Sequence, residues 1–217
     1  MKTKMSIADK LLNYGILINN AITDVEIANA LTTYGYNSEK LNRGKSLLEE
    51  LDVLVKKQIR EYGEQFEATD NVNNLWKTAN HNYMKTLKIA RIVFKQNQVA
   101  HTALLLGGLR KISLSGWLHQ AQTFYRNLEE NADFQASLAQ YSYTSEKLAS
   151  EKALIDDLEN AKNAQAKEKG EAQQATLDRD KKLDELDEWI SEFTVIAKIA
   201  LEDNPQWLEK LGIVEKS

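Results

Sequence analysis

The sequence predicts an all-α protein made of two tandem helical repeats of about 107 residues. Three observations predict it. The 217 residues include one proline and nine glycines, too few breakers for a sandwich or barrel, which needs turn residues every ~8–12 positions. Apolar residues recur at helical spacing, and no period-two alternation is present. Shifted by 107 positions the chain aligns with itself without a gap. Residues 17–95 and 124–202 share 20 identities in 79 pairs, where ordinary composition yields about 5. YGYNSEKLNRGKSLLEEL at 34–51 answers YSYTSEKLASEKALIDDL at 141–158. The expected units are therefore 1–107 and 108–217, joined near Gly107–Gly108 and able to pack as one domain.

Each copy reads as the same series of helices. The first covers about 7–21, with Ile7, Leu11, Tyr14 and Ile18 on one face. Its match at 114–128 carries Leu114, Leu118, Ala121 and Tyr125. A second starts at Thr23, where Thr23 and Glu26 have capping-box spacing, and near Asn131 in the other copy. Gly35 suits the left-handed residue that ends this helix. Ser142 stands at the matching place, so that stop is expected to be weaker.

A long helix follows, capped by Asn37 or Thr144, with Glu39 or Glu146 at the positive end of its dipole. Leu41, Leu48, Val55 and Tyr62 repeat every seven residues, and Leu47, Leu51, Leu54, Ile59 and Phe66 widen the stripe. A further long helix to about 96 or 203 is lined by Leu75, Leu87, Ile89, Ile92 and Val93, or by Leu183, Leu186, Ile190, Phe193, Ile196 and Ile199. Gly63/Gly170 and Thr69/Thr176 are the only repeated punctuation between them, which puts a turn within 63–71. Each repeat is then a long antiparallel hairpin braced by short helices, and two hairpins make a bundle with approximate two-fold symmetry. The last short helix lies near 99–106 and 205–211, opened in the second copy by Pro205 and stopped by Gly212. Leu41 and Leu148, Leu51 and Leu158, and Ile89 and Ile196 stay apolar in both copies and are expected in the core.

The two copies differ in charge and in apolar content. Residues 1–107 carry 14 basic and 11 acidic side chains, a net of +3; residues 108–217 carry 14 and 21, a net of −7. Neither half is basic enough to expect nucleic acid as a partner. Residues 159–182 hold one large apolar side chain, Leu177, where the first copy has Ile59, Tyr62, Phe66, Val72, Leu75 and Trp76. A solvated, mobile hairpin tip is expected in the second copy. A helix pair buries one stripe per helix, so Ile59, Tyr62, Phe66, Val72 and Trp76 are the expected interface, with a homodimer or a protein partner covering them.

Signs of catalysis are scarce. The chain has no cysteine, which removes disulfides, thiolate metal sites and cysteine nucleophiles. His81, His101 and His119 lack a second ligand at i+3 or i+4, and HExxH is absent, so no metal and no cofactor are expected. Tyr36 and Lys40 with Ser38, matched by Tyr143 and Lys147 with Ser145, resemble a dehydrogenase set, but the glycine-rich phosphate turn such chemistry needs is missing. They are read as a joint between helices. The acidic run Asp178 to Glu188 is interleaved with Arg179, Lys181 and Lys182 and reads as a solvated helix face.

The expected function is a non-enzymatic structural or protein-interaction module. The alternative is a bundle holding a small apolar ligand between its long helices at Tyr83, Leu87, Trp189 and Phe193. No stretch approaches the ~20 apolar residues of a membrane span, so no membrane partner is expected. Met1–Asn20 lacks a signal-peptide pattern, so a cytoplasmic setting is expected.

Overall fold

The computed structural model describes residues 5–213. They form α1 (Ile7–Thr23), α2 (Val25–Thr33), α3 (Ser38–Val93), α4 (Gln98–Ala103), α5 (Leu114–Glu129), α6 (Ala132–Ala139), α7 (Ser145–Ala200) and α8 (Pro205–Lys210). No strand occurs among the described residues. The protein is all-α, as the sequence predicts. α3 and α7 begin and end 107 residues apart, and so do α4 and α8.

Cap chemistry sets the helix ends. The Ser6 hydroxyl accepts from Asp9 N–H and the Asp9 side chain reaches back, a complete capping box. At the start of α2 the cap is Asp24, one residue beyond the expected Thr23. The Asp24 carboxylate accepts from the N–H groups of both Glu26 and Ile27, while the Thr23 hydroxyl donates to the Asn19 carbonyl 2.8 Å away and so stays within α1. Asn131 caps α6 as expected. Gly35 has φ +84°, and Ser142 takes the same left-handed conformation at φ 65°. Gly212 ends α8 at φ 73°, and Leu105 holds the matching place after α4 at φ 49°.

The turn expected within 63–71 does not form. α3 and α7 are each 56 residues without a break. A lone glycine costs a helix interior about 1 kcal/mol relative to alanine and does not stop it. Thr69 and Thr176 bond their hydroxyls back to the carbonyls of Gln65 and Ala172 in place of capping a new helix. The hairpin within each repeat, and the mobile tip at 159–182, are replaced by a continuous helix in which Ala161, Ala172 and Ala175 are buried.

The chain divides into two packed units, one of residues 1–62 with 171–217 and the other of 63–170. In the first unit α1, α2 and the opening half of α3 pack with the closing half of α7 and with α8. Its core joins Leu17, Ile18, Ile27, Leu31, Tyr36, Leu41, Leu47 and Leu51 to Leu186, Trp189, Ile190, Phe193, Leu201 and Leu208. In the second unit the closing half of α3 packs with α4, α5, α6 and the opening half of α7. Its core joins Val72, Tyr83, Leu87 and Phe94 to Trp117, Phe124, Tyr125, Leu128, Leu148, Ile155 and Leu158. Within each unit the long helices run antiparallel. The first pairs Gly44 with Trp189 and Glu50 with Lys182; the second pairs Thr69 with Gln165 and Thr86 with Glu151. Each packed unit therefore draws on both sequence repeats. Of the expected core pairs, Leu41, Leu148, Leu51 and Leu158 are buried, while Ile89 and Ile196 are half-buried at the core margin.

Candidate functional site

The four side chains expected to hold an apolar ligand belong to two different cores. Tyr83 and Leu87 lie in the second unit and Trp189 and Phe193 in the first. Tyr83 is packed edge-on by Trp117 and Phe124, with ring centroids 5.6 and 5.4 Å away. Its hydroxyl accepts from Arg110 at 2.8 Å. Trp189 and Phe193 stack at 5.2 Å, and both meet the ring of Tyr36. The aromatic surface of these helices is taken up by neighbouring aromatics.

Of the expected interface residues, Ile59 and Tyr62 are exposed in the first unit, and Phe66 and Trp76 in the second. Val72 is 5% exposed and belongs to the core of the second unit, so it is not open to a partner. The first unit also exposes Leu12, Ile16 and Val53. Leu12, Ile16 and Asn19 share one stripe of α1 by their i, i+4, i+7 spacing. Asn19, Leu11, Lys45, Leu48, Glu49, Asp52 and Val53 line a groove between α1 and α3 of about 610 Å³.

The chemistry that sequence reasoning missed is a buried carboxylate in the second unit. Glu151 is 6% exposed and sits on the apolar stripe of Leu148, Ile155 and Leu158. The hydroxyls of Thr86 and Tyr125 both donate to its Oε2, at 2.6 and 2.9 Å. Thr86 also lies 3.1 Å from the Asn82 carbonyl, but it has one proton, and the shorter contact takes it. No lysine or arginine among the described residues pairs with Glu151. Burial first, and the neighbouring Glu151 second, push the Tyr125 phenol far above the usual tyrosine range, which keeps Tyr125 a hydrogen-bond donor.

The repeat-equivalent place in the first unit is built from opposite materials. Gly44 stands for Glu151, Phe193 for Thr86, Trp189 for Asn82 and Ile18 for Tyr125. One crossing of the long helices is thus filled by an indole laid on a glycine, the other by a hydrogen-bonded polar set. The legible signal was a glutamate inside the helical stripe Leu148, Glu151, Ile155 and Leu158.

Beside this set lies a cavity of about 160 Å³ lined by Tyr125, Glu129, Gln135, Ser145, Leu148, Ala149 and Lys152. α5 supplies Tyr125 and Glu129, α6 supplies Gln135, and α7 supplies the rest. Ser145 donates to Gln135 Oε1 at 2.8 Å. Gln135 Nε2 donates to the carbonyls of Leu128 and Glu129 at 3.0 and 2.9 Å. The Lys152 ammonium lies 3.1 Å from Asp156 and 3.8 Å from Glu129. The Asp156 hydrogen bond, with the attraction of Asp156 and Glu129, holds Lys152 above the usual lysine range.

No family model, curated protein or solved structure matches the chain. The Tyr-x-x-x-Lys joints resolve as cation–π contacts. Lys40 lies 4.2 Å from the Tyr36 ring centre and Lys147 lies 3.6 Å from that of Tyr143. His81 and His119 are exposed and His101 is half-buried. No helix of the described residues is long and apolar enough to cross a membrane.

Proposed function

We propose that the chain is a non-enzymatic protein-interaction module that self-associates through the α1–α3 face of its first unit. The observation that carries this reading is the exposure of Leu12, Ile16 and Val53, at 64%, 44% and 63%, beside the groove of Leu11, Leu48 and Val53. Covering such side chains contributes about 25 cal/mol per Å². Contiguous exposed apolar patches above a few hundred Å² mark contact surfaces on soluble proteins. Ile59 and Tyr62, further along α3, extend the apolar character of this helix.

A second copy of the chain suits the face because both signs of charge lie on it. Lys45 stands with Glu49 and Asp52 around Val53. A two-fold contact presents the same patch from both sides and so needs a self-complementary surface. Within one copy Lys45 is 3.9 Å from Glu49, and Lys56 pairs with Asp52. Exposed pairs of this kind contribute roughly 0–1 kcal/mol, so exchanging partners across an interface costs little.

Light scattering on the full chain over a concentration series tests the proposal. The expected result is a mass rising to twice that of the chain, and a Leu12→Glu, Val53→Glu double variant that stays at the single-chain mass with an unchanged melting temperature. A wild-type protein that keeps the single-chain mass at every concentration overturns it.

A further inference from the structure

Charge in the second unit is sorted by place. Residues 71–128 hold eight basic and no acidic side chains, while the rest of the unit, 63–70 and 129–170, holds five basic and twelve acidic ones. Much of the basic set forms one stripe. Lys77, His81, Lys85, Lys88, Ile92 and Lys95 follow one another along α3 at steps of three or four residues, and all are exposed. They lie opposite the buried Ala79, Tyr83 and Ala90 of the same helix. Among the described residues neither these four lysines nor Lys111 forms an ion pair. The loop between α4 and α5 runs beside the stripe. Arg91, which stands between Lys88 and Lys95, donates to the carbonyls of Leu106 and Gly108 at 2.7 and 2.8 Å. Arg110 donates to the Tyr83 hydroxyl and to the carbonyls of Leu105 and Gly107. These bonds hold the loop in place with Leu109 and Ile112, on either side of Arg110 and Lys111, 93% and 94% exposed. Ile92, within the stripe, is 65% exposed.

We infer that this face of the second unit docks on the surface of an anionic phospholipid bilayer. The lysines of α3 and Lys111 meet the negative headgroups, and Leu109 and Ile112 enter the boundary between headgroups and acyl chains. The side-chain types select a bilayer over other polyanions. Single-stranded nucleic acid is held by aromatic platforms and duplex phosphates by forked arginines, whereas the exposed cations of the stripe are lysines and the exposed groups of the loop are aliphatic. A polar polyanion leaves Leu109 and Ile112 in water; a bilayer covers them. The expectation of no membrane partner rested on the lack of a spanning stretch, and attachment to a surface needs none. The inference rests on the second unit alone and stands apart from the proposed association face of the first.

Co-flotation of the full chain with vesicles makes the test. Vesicles of equal parts phosphatidylcholine and phosphatidylserine are expected to carry the protein, and pure phosphatidylcholine vesicles to bind it at least about tenfold more weakly. Two variants separate the charge from the apolar loop, and both change only exposed side chains. Lys85→Gln with Lys88→Gln is expected to weaken attachment to the mixed vesicles by about tenfold or more. Leu109→Ser with Ile112→Ser is expected to weaken it by about tenfold or more as well, and both variants should keep the wild-type melting temperature. Absence of binding to the mixed vesicles, or equal binding to the neutral ones, overturns the inference. So does undiminished binding by either variant, or tighter binding of a duplex DNA oligonucleotide than of the mixed vesicles.

Discussion

The indole of Trp189 lies directly on the backbone of Gly44. A Cβ built at residue 44 would fall 2.5 Å from two of the ring carbons. Ring carbons of a tryptophan that is 8% exposed and stacked on Phe193 have nowhere to go. Gly44→Ala is therefore expected to destabilise the protein by about 1–3 kcal/mol, although alanine alone would favour the helix by up to about 1 kcal/mol. Denaturant melts of Gly44→Ala, Trp189→Ala and the double variant check this. The double variant should lose less than the sum of the two, because removing the indole opens the space the methyl group needs.

The left-handed residues that end the two corner helices give a second expectation. Gly35 adopts its φ of +84° without steric cost, while Ser142 holds φ 65° against the cost of its Cβ. Ser142→Gly is expected to stabilise by up to about 1 kcal/mol, the strain relieved less the added freedom of the unfolded glycine. Gly35→Ala is expected to destabilise by about the same amount. A rise in melting temperature for one and a fall for the other is the observation sought; opposite signs would count against the assigned backbone conformations.

A third expectation follows from the interleaving of the repeats. Neither core can be assembled from one repeat, since Leu51 shares its core with Leu186 and Phe193 of the other repeat, and Tyr83 shares its core with Phe124 and Leu158. The connection between the repeats is an exposed loop in which Leu109 is 93% exposed. Its ends are held by Arg91, which donates to the Leu106 and Gly108 carbonyls, and by Arg110, which donates to those of Leu105 and Gly107. A protease site inserted at Leu109 and cut after folding should leave the two halves associated, with their helix content intact. Each half, separated in denaturant and refolded alone, should lose most of it. Circular dichroism and gel filtration measure both, and halves that part spontaneously after cutting would contradict the shared cores.

The fourth expectation concerns acid. In the first unit Lys210 bonds to Asp24 at 2.8 Å, and Asn20 donates to the Lys210 carbonyl, which ties α8 to the α1–α2 corner. The Lys210 hydrogen bond first, then that of Ile27 N–H, hold the Asp24 carboxyl below the usual aspartate range. A folded-state value below the unfolded one means the contribution is complete above about pH 4. It is lost as pH falls through the lowered value. Asp24→Asn should therefore melt at a lower temperature than wild type near neutrality, and the two curves should converge in strong acid. A difference between them that does not change with pH would show that the carboxylate charge plays no part.

The sequence by itself determined the helical class, the 107-residue repeat, most helix ends and much of the core. These depend on local causes: apolar spacing at 3.6 residues, cap side chains such as Asn131, and the backbone freedom of Gly35 and Gly212. The placement of Leu41, Leu51, Leu148 and Leu158 was legible for the same reason. Sequence reasoning failed at Gly63 and Gly170, because a glycine is equally at home in a turn or, at modest cost, in a helix, and no neighbouring residue decides between them. Only the tertiary structure decided that, since burying the apolar stripes of α3 and α7 against each other stabilises two unbroken helices. That single choice moved every longer-range contact. It placed Tyr83 and Trp189 in separate cores, set Trp189 on Gly44, and brought Thr86, from one repeat, to Tyr125 and Glu151, from the other. A carboxylate receiving two hydroxyls is a fact of three helices meeting: the glutamate inside the stripe of Leu148, Ile155 and Leu158 is its one local sign, and nothing at positions 86 and 125 announces its partners.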